Sequence, residues 1–427
     1  MSVAPSPRRA CDEPSFDPFA RGFAENPYPH YAAWRARGPV QWGVAPDERA
    51  PGCWYVLGHA EAAAALTDDR LVLEPARVYG PDALPPPDPA HAAFDAMVSR
   101  WMIFRDPPDH TRLRRALMPA FTDAALAALA PQVQAIAEAL VGAALRKGRF
   151  DLIADVAFPL PALVVARMLG LDEADYPLIA RTSKALLAGI DLKRDADADA
   201  LRAAAARAAE ELEAHLRAAI ARRRAVGGDD LLGRLVAATD GRPDGEAELV
   251  ANCALVLFAG HETTVNLIGN GMLALLDHPA AQARLRAEPA SWPRAIEELS
   301  RFDSSSQMTF RFVMEPLRLG GATLSPGDPV GIVIGAANRD PAVFADPDRL
   351  DVGRTPNPHL SFGRGRHSCP GAALARMEAL AALRLLLQHT TALARDETPV
   401  VRAGSTGLRG LRTLPIRAQA RRGGRGS

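Results

Sequence analysis

Phe362-Gly363-Arg364-Gly365-Arg366-His367-Ser368-Cys369-Pro370-Gly371 is the stretch on which the reading of this chain turns. Two glycines two residues apart permit a tight turn with positive φ and a close backbone approach to something flat. Helical text opens at Gly371, so Cys369 sits at a helix N-terminus, where free N–H groups and the helix dipole favour an anion. The pattern predicts a lowered thiol pKa and a thiolate able to ligate a metal. Taken alone, a cysteine reads as an inert buried residue, and Cys11, Cys53 and Cys253 are read that way. Four cysteines with no paired spacing exclude a zinc module and a disulfide framework and point to a reducing cytoplasm.

Upstream of this loop lies the most apolar segment, Leu249 to Leu276. Asn252, His261, Glu262, Asn266 and Asn270 interrupt it, so a buried helix is expected rather than a lipid-facing one. On that helix residues 255, 259, 263, 266 and 270 form a small or polar stripe. Ala259 and Gly260 leave space beside it, and Thr263 can bond back to a main-chain carbonyl, loosening the helix. Glu298 and Arg301, at i and i+3, can pair on one helix face. His110 and Arg114, at i and i+4, project from one face of the helix opened by Asp106-Pro107-Pro108-Asp109.

The rest of the chain is mostly Ala/Leu/Arg/Glu text with helical spacing. Helices are predicted over 27–38 (N-cap Asn26), 59–66, 109–121, 122–147 (restarting at Pro131), 161–169, 173–188, 197–226, 246–278, 292–302 and 371–389. Strands are predicted at 54–57, 308–313, 317–319 and 330–334, and a Pro/Asp/Arg-rich meander at 338–359. Tyr79 to Pro89 holds five prolines and reads as a loop, either a linker or a cover over a site. Residues 1–416 read as one domain, and the basic, Gly-rich 417–427 as a disordered tail. The 427 residues are 48% hydrophobic and 23% charged, with Lys+Arg and Asp+Glu both 50. Disordered, collagen-like and disulfide-rich classes are excluded, and nothing global favours nucleic acid or an anionic membrane. Met1 to Ser15 has no apolar run, so neither a signal peptide nor a membrane anchor is expected there. The expectation is a soluble cytoplasmic monomer that binds neither nucleic acid nor membrane.

A lone thiolate among apolar and cationic neighbours is a known axial ligand of haem iron. The ten-residue stretch resembles the haem-binding loop of the cytochrome P-450 family: Phe, Gly, any, Gly, any, His or Arg, any, Cys, any, Gly. The resemblance extends over nearly the whole chain. It implies a mainly α fold with small β-sheets (α+β) and haem b between the long central helix and the Cys-loop helix. It implies Cys369 as iron ligand and Phe362, Gly363, Ala259 and Gly260 beside the cofactor. By the same resemblance His110 and Arg114 hold one propionate, and Arg311 and His367 the other. Glu262 and Thr263 supply protons, and Glu298, Arg301 and Arg354 lock the meander.

The implied activity is a monooxygenase. It activates dioxygen with two external electrons to hydroxylate or epoxidise a lipophilic small molecule, such as a natural product. The pocket is expected from Leu255, Phe258, Gln307, Met308 and Thr406, with walls from Val78 to Phe104, Leu186 to Ile190, Ser304 to Met308 and Ser405-Thr406. No G-x-G-x-x-G and no four-Cys spacing is present. Electrons are therefore expected from a separate ferredoxin or flavodoxin and its NAD(P)H-dependent reductase, docking on Arg112, Arg115, Arg364 and Arg366. The alternatives are a haem-based binding or sensor protein without turnover, which needs no Glu262-Thr263 pair, and a Cys hydrolase using Cys369 and His367.

Overall fold

The computed structural model describes residues 15–46, 50–81, 88–190, 198–228, 230–239, 241–242 and 244–421. The first elements are α1 (Tyr28–Arg35), β1 (Val40–Gly43), β2 (Cys53–Val56), α2 (His59–Ala65), β3 (Leu71–Val72), α3 (Ala76–Tyr79) and α4 (Ala92–Val98). The helical part follows with α5 (Asp109–Leu117), α6 (Asp123–Lys147), β4 (Arg149–Asp151), α7 (Pro159–Met168), α8 (Tyr176–Ile190), α9 (Ala198–Val226), α10 (Leu231–Thr239), α11 (Gly245–Asp277), α12 (Pro279–Ala287) and α13 (Trp292–Phe302). The chain ends with β5 (Thr309–Val313), β6 (Leu317–Leu319), β7 (Ala322–Leu324), β8 (Pro329–Ile332), α14 (Ile334–Ala337), α15 (Ala372–Gln388), β9 (Thr390–Arg395), β10 (Val401–Arg402), β11 (Leu411–Thr413) and β12 (Pro415–Ala420). The mainly α fold with small sheets is what the residues predict.

α11 runs 33 residues and is buried along nearly its whole length. A helix apolar on every side must be packed on every side. It packs against α7, α8, α9, α10, α13 and α15. Its polar residues find partners inside the core: His261 Nε2 donates to Phe158 O at 2.9 Å, and Asn270 Nδ2 donates to Arg409 O at 2.8 Å. A five-stranded sheet, in the order β1-β2-β8-β5-β3, lies beside the helices; β2 and β8 are parallel and its other pairs antiparallel.

Several expectations are corrected. α1 begins at Tyr28 with no side-chain cap, so Asn26 does not cap it. Pro131 does not restart a helix, because α6 is continuous through it. Residues 127 and 131 are both exposed, so the bond that proline cannot make is lost on the solvent side. The tail is ordered further than its composition suggests. β12 carries Arg417 to Ala420 between β4 and β9, and backbone pairing on both edges overrides the Gly/Arg signal. Residues 422–427, and 82–87 of the proline-rich loop, lie outside the described residues. α6 is long and apolar enough to cross a membrane by length and composition, but it packs on α15 and α7 with Val133, Ile136 and Val141 buried.

Candidate active site

The loop before α15 is held by its own backbone. Cys369 N donates to Phe362 O at 2.8 Å, Ser368 N to Gly365 O at 3.0 Å, and Gly363 N to Leu360 O at 2.8 Å. Gly363 and Gly365 have φ of +69° and +73°, the left-handed region a side chain resists. From across the fold, Arg114 on α5 donates to Ser368 O at 2.8 Å and to Ser368 Oγ at 3.2 Å. The loop thus aims the Cys369 thiol into a cavity of about 320 Å3.

α11 covers the opposite side of that cavity with Leu255, Ala259, Gly260 and Thr263. Thr263 donates to Ala259 O at 2.8 Å, and Thr264 to Gly260 O at 3.2 Å. Both hydroxyls bond back one turn, yet the helix is unbroken. Gly260 lines the cavity, but the space its missing side chain leaves belongs to a neighbouring helix. A Cβ there would lie 2.7 Å from Val165 Cγ2 on α7.

At one end of the cavity His110, Arg114, Arg311 and His367 converge. Nε2 of both His110 and His367 is buried without a hydrogen-bond partner. Their rings lie 4.1 Å apart between centroids. Arg311 is 5% exposed and, among the described residues, donates only from Nη1, to Phe310 O and Thr309 Oγ1. Burial lowers its pKa to about 10, with Asp106 acting against the shift. Burial also lowers the pKa of His367 to about 3, helped by His110 and the nearby arginines. Buried donors in such a concentration call for anionic acceptors.

The thiol differs from expectation. Cys369 is open to the cavity but crowded elsewhere, and burial raises its pKa. The Gly371 N–H, Arg114 and Arg376 pull the other way without winning. The helix start favours a thiolate, as predicted, but desolvation is the larger effect; a bound cation would favour the thiolate. Together the thiol, the unpartnered imidazoles and the buried guanidinium fit haem, a flat iron complex with two carboxylates. Among the described residues no group of three or more His, Cys, Asp or Glu could hold a metal by itself.

A scan against protein-family models matches residues 179–291 and 293–411 to the family described as Cytochrome P450. The chain belongs to the cytochrome P450 family. Cytochrome P450 monooxygenase PikC of Streptomyces venezuelae is 38% identical over 404 residues, 92% of each chain. The biotin biosynthesis cytochrome P450 of Bacillus subtilis (strain 168) is 35% identical over 394 residues, covering 92% of this chain and 96% of that one. A solved structure of P450BioI in complex with hexadec-9Z-enoic acid ligated acyl carrier protein matches with a TM-score of 0.85 at 34% identity, over 93% of this chain and 99% of the other. The protein is therefore a cytochrome P450 monooxygenase, an enzyme that uses haem and dioxygen.

In this P450, Glu298 and Arg301 are both fully buried and paired twice at 2.8 Å. Arg354 Nε donates to the same carboxylate at 3.1 and 3.2 Å, and Arg301 Nη1 reaches Asn338 O and Pro347 O, each at 2.9 Å. Glu262 does not line the cavity beside Thr263. It is turned into packed surroundings, 7% exposed, and burial pushes its carboxyl up to about 7 against the pull of Lys184 on α8.

Four expected pocket residues are not among those that line this cavity. Phe258 packs on Trp101 with ring centroids 4.9 Å apart. Gln307 accepts from Tyr31 Oη at 3.1 Å and donates to Ser304 O at 2.7 Å. Met308 is buried in a cluster with Phe16, Phe23 and Tyr31, and Thr406 is buried off the cavity wall. Of the expected walls, among the described residues, Leu186–Ile190 contributes nothing, Val78–Phe104 contributes Met102 and Ile103, and Ser304–Met308 contributes Ser305 and Ser306. Val256, Thr264 and Leu267 also line the cavity. Widening the helical stripe by one neighbouring row would have found them. Val165 and Met168 on α7 carried no sequence signal.

Proposed function

We propose that this P450 holds haem b and hydroxylates or epoxidises a lipophilic small molecule, in natural-product biosynthesis, in the cytoplasm. A ferredoxin or flavodoxin with its NAD(P)H-dependent reductase supplies the two electrons. What supports this reading is that one cavity is lined at once by the Cys369 thiol, by two arginines and two imidazoles able to donate to carboxylates, and by the Thr263 hydroxyl.

When bound, haem supplies the redox chemistry that splits dioxygen and inserts one oxygen atom. Cys369 Sγ ligates the iron. His110 Nε2, His367 Nε2, Arg114 and Arg311 hold the two carboxylates. Met102, Ile103, Val165, Met168, Leu255 and Val256 give the cavity an apolar wall that binds a lipophilic body and excludes water. Ser305, Ser306 and Thr309 add hydroxyls for one or two polar groups of the substrate.

Thr263 Oγ1 holds the proton nearest the reacting centre, presently given to Ala259 O. A rotation about χ1 turns it toward the cavity. Glu262 keeps a second proton one residue away, at a carboxyl whose pKa near 7 suits transfer at neutral pH. A haem sensor without turnover has no use for that pair.

The experiment is an absorbance spectrum of the reduced protein with carbon monoxide, followed by turnover of the Thr263→Ala variant. The thiolate-haem signature is expected in the native protein and lost in Cys369→Ala. Thr263→Ala is expected to keep the signature while product per reductant consumed falls by about tenfold or more, the balance leaving as peroxide. Unchanged coupling in Thr263→Ala would remove that hydroxyl from the proton route.

A further inference from the structure

Asn252 sits about three turns before Thr263 on α11 and is 2% exposed. Its side-chain amide is fully used. Oδ1 accepts from Met102 N at 3.0 Å, and Nδ2 donates to Arg100 O at 3.0 Å and to Glu248 O at 2.9 Å. The last partner is one turn back on its own helix. The other two belong to the segment 100–104, which leads into α5. One amide therefore meets a backbone N–H and a backbone C=O two residues apart. That pairing fixes both the distance and the rotation of the segment against α11.

A second contact adjoins the first. Trp101, fully buried between the two bonded residues, lays its ring on Phe258, six residues further along α11. The next residues, Met102 and Ile103, are cavity wall, as are Leu255 and Val256, which follow Asn252 on α11. The amide clamp thus joins two adjoining pieces of chain that both line the cavity.

The neighbouring link is of another kind. Arg112 on α5 pairs with Glu248 of α11 and with Asp109, but its side chain is 28% exposed and its attraction is screened by salt. Asn252 is uncharged and enclosed, and among the described residues it is the partner of the Met102 N–H. We propose that Asn252 is a positioning residue: it fixes where the wall of Met102 and Ile103 stands against α11, and so decides which substrates fit and which of their atoms are presented.

The test uses the haem-loaded protein and two variants. Asn252→Leu keeps the size and removes all three side-chain hydrogen bonds; Asn252→Asp keeps the acceptor and removes the donor. Imidazole and 4-phenylimidazole are titrated by absorbance, and amide hydrogen exchange is followed at Met102. The small probe needs only the metal, whereas the larger one also leans on the wall. Expected is a 4-phenylimidazole affinity about tenfold weaker in whichever variant folds, the scale of one or two lost buried hydrogen bonds. Imidazole should stay within about twofold of wild type, and Met102 exchange should rise at least about tenfold in Asn252→Leu but stay near wild type in Asn252→Asp, whose carboxylate still accepts from Met102 N. Equal changes for both probes, or a Met102 amide in Asn252→Leu as protected as in wild type, would overturn the proposal.

Discussion

Cys369 and Glu378 lie nine residues apart on one loop and helix, and burial acts on both in the same direction. For Cys369 the expected pull of a helix start is outweighed by desolvation. Glu378 has no counterweight at all. It is fully buried, neither carboxyl oxygen has a partner among the described residues, and burial raises its pKa well above the usual 4.5. The folded chain therefore keeps a proton that the unfolded chain releases above pH 4.5. Below that pH both states hold the proton and the shift costs nothing. As pH rises toward the raised folded value, stability falls, because the unfolded state alone gains from ionising. Glu378→Met, similar in volume and without the unpaired oxygens, should raise the unfolding free energy by about 1–3 kcal/mol at pH 8, and by less at pH 5. Denaturant midpoints of the haem-loaded protein at the two pH values measure this. A gain that shrinks as pH rises would mean that Glu378 has an acceptor or a cation nearby.

At the scale of elements, α13 and the segment after α14 are joined by a single buried carboxylate. Glu298 accepts from Arg301, from Arg354, from Asp351 N at 2.9 Å and from Asn357 Nδ2 at 3.2 Å. Arg301 in turn holds two carbonyls, Asn338 O and Pro347 O. The helix spacing of the pair was readable, but the carbonyls it reaches were not, because the meander has no periodicity to place them. A planar fork with five donors fits this site and an ammonium does not. Arg301→Lys should cost about 3–5 kcal/mol in urea unfolding, the scale for breaking a buried pair. Arg354→Lys, at the edge of the cluster with 10% side-chain exposure, should cost less than half of that. Equal losses would place the energy in the overall charge count rather than in the buried fork.

Over the whole molecule, positive and negative charges cancel, so any steering of an acidic electron donor must be local. The structure sorts the four arginines expected to do this. Arg112 is neutralised by Glu248 and Asp109, and Arg366 is paired with Asp69. Arg115 and Arg364 are exposed beside the elements that carry Arg114 and Cys369. Arg115→Glu with Arg364→Glu should slow reduction by ferredoxin by about tenfold at low salt, and the difference should vanish near 1 M, where charges are screened within about 3 Å. Stopped-flow reduction across a salt series checks this, with a peroxide-driven reaction as the control that should not change. A loss independent of salt would assign the effect to damage rather than docking.

What the chain determined by itself is the chemistry that lies within a few residues. The Gly363–Gly365 turn, the cysteine ahead of a helix, the length of α11 and the i, i+3 spacing of Glu298 and Arg301 follow from local backbone preference and helical period, which neighbours in sequence set. What only the tertiary structure decided is which long-range partner each side chain meets. Arg112 finds Glu248, 136 residues away. Val165 fills the space beside Gly260, Phe258 turns to Trp101, and Gln307 turns to Tyr31. Glu262 lies next to Thr263 in sequence yet faces α8, since successive helix positions point about 100° apart and each surface meets whatever packs there. The ends of the cavity likewise come from α5, α7, α11 and the Cys369 loop at once, a coincidence that packing creates and spacing along the chain does not record.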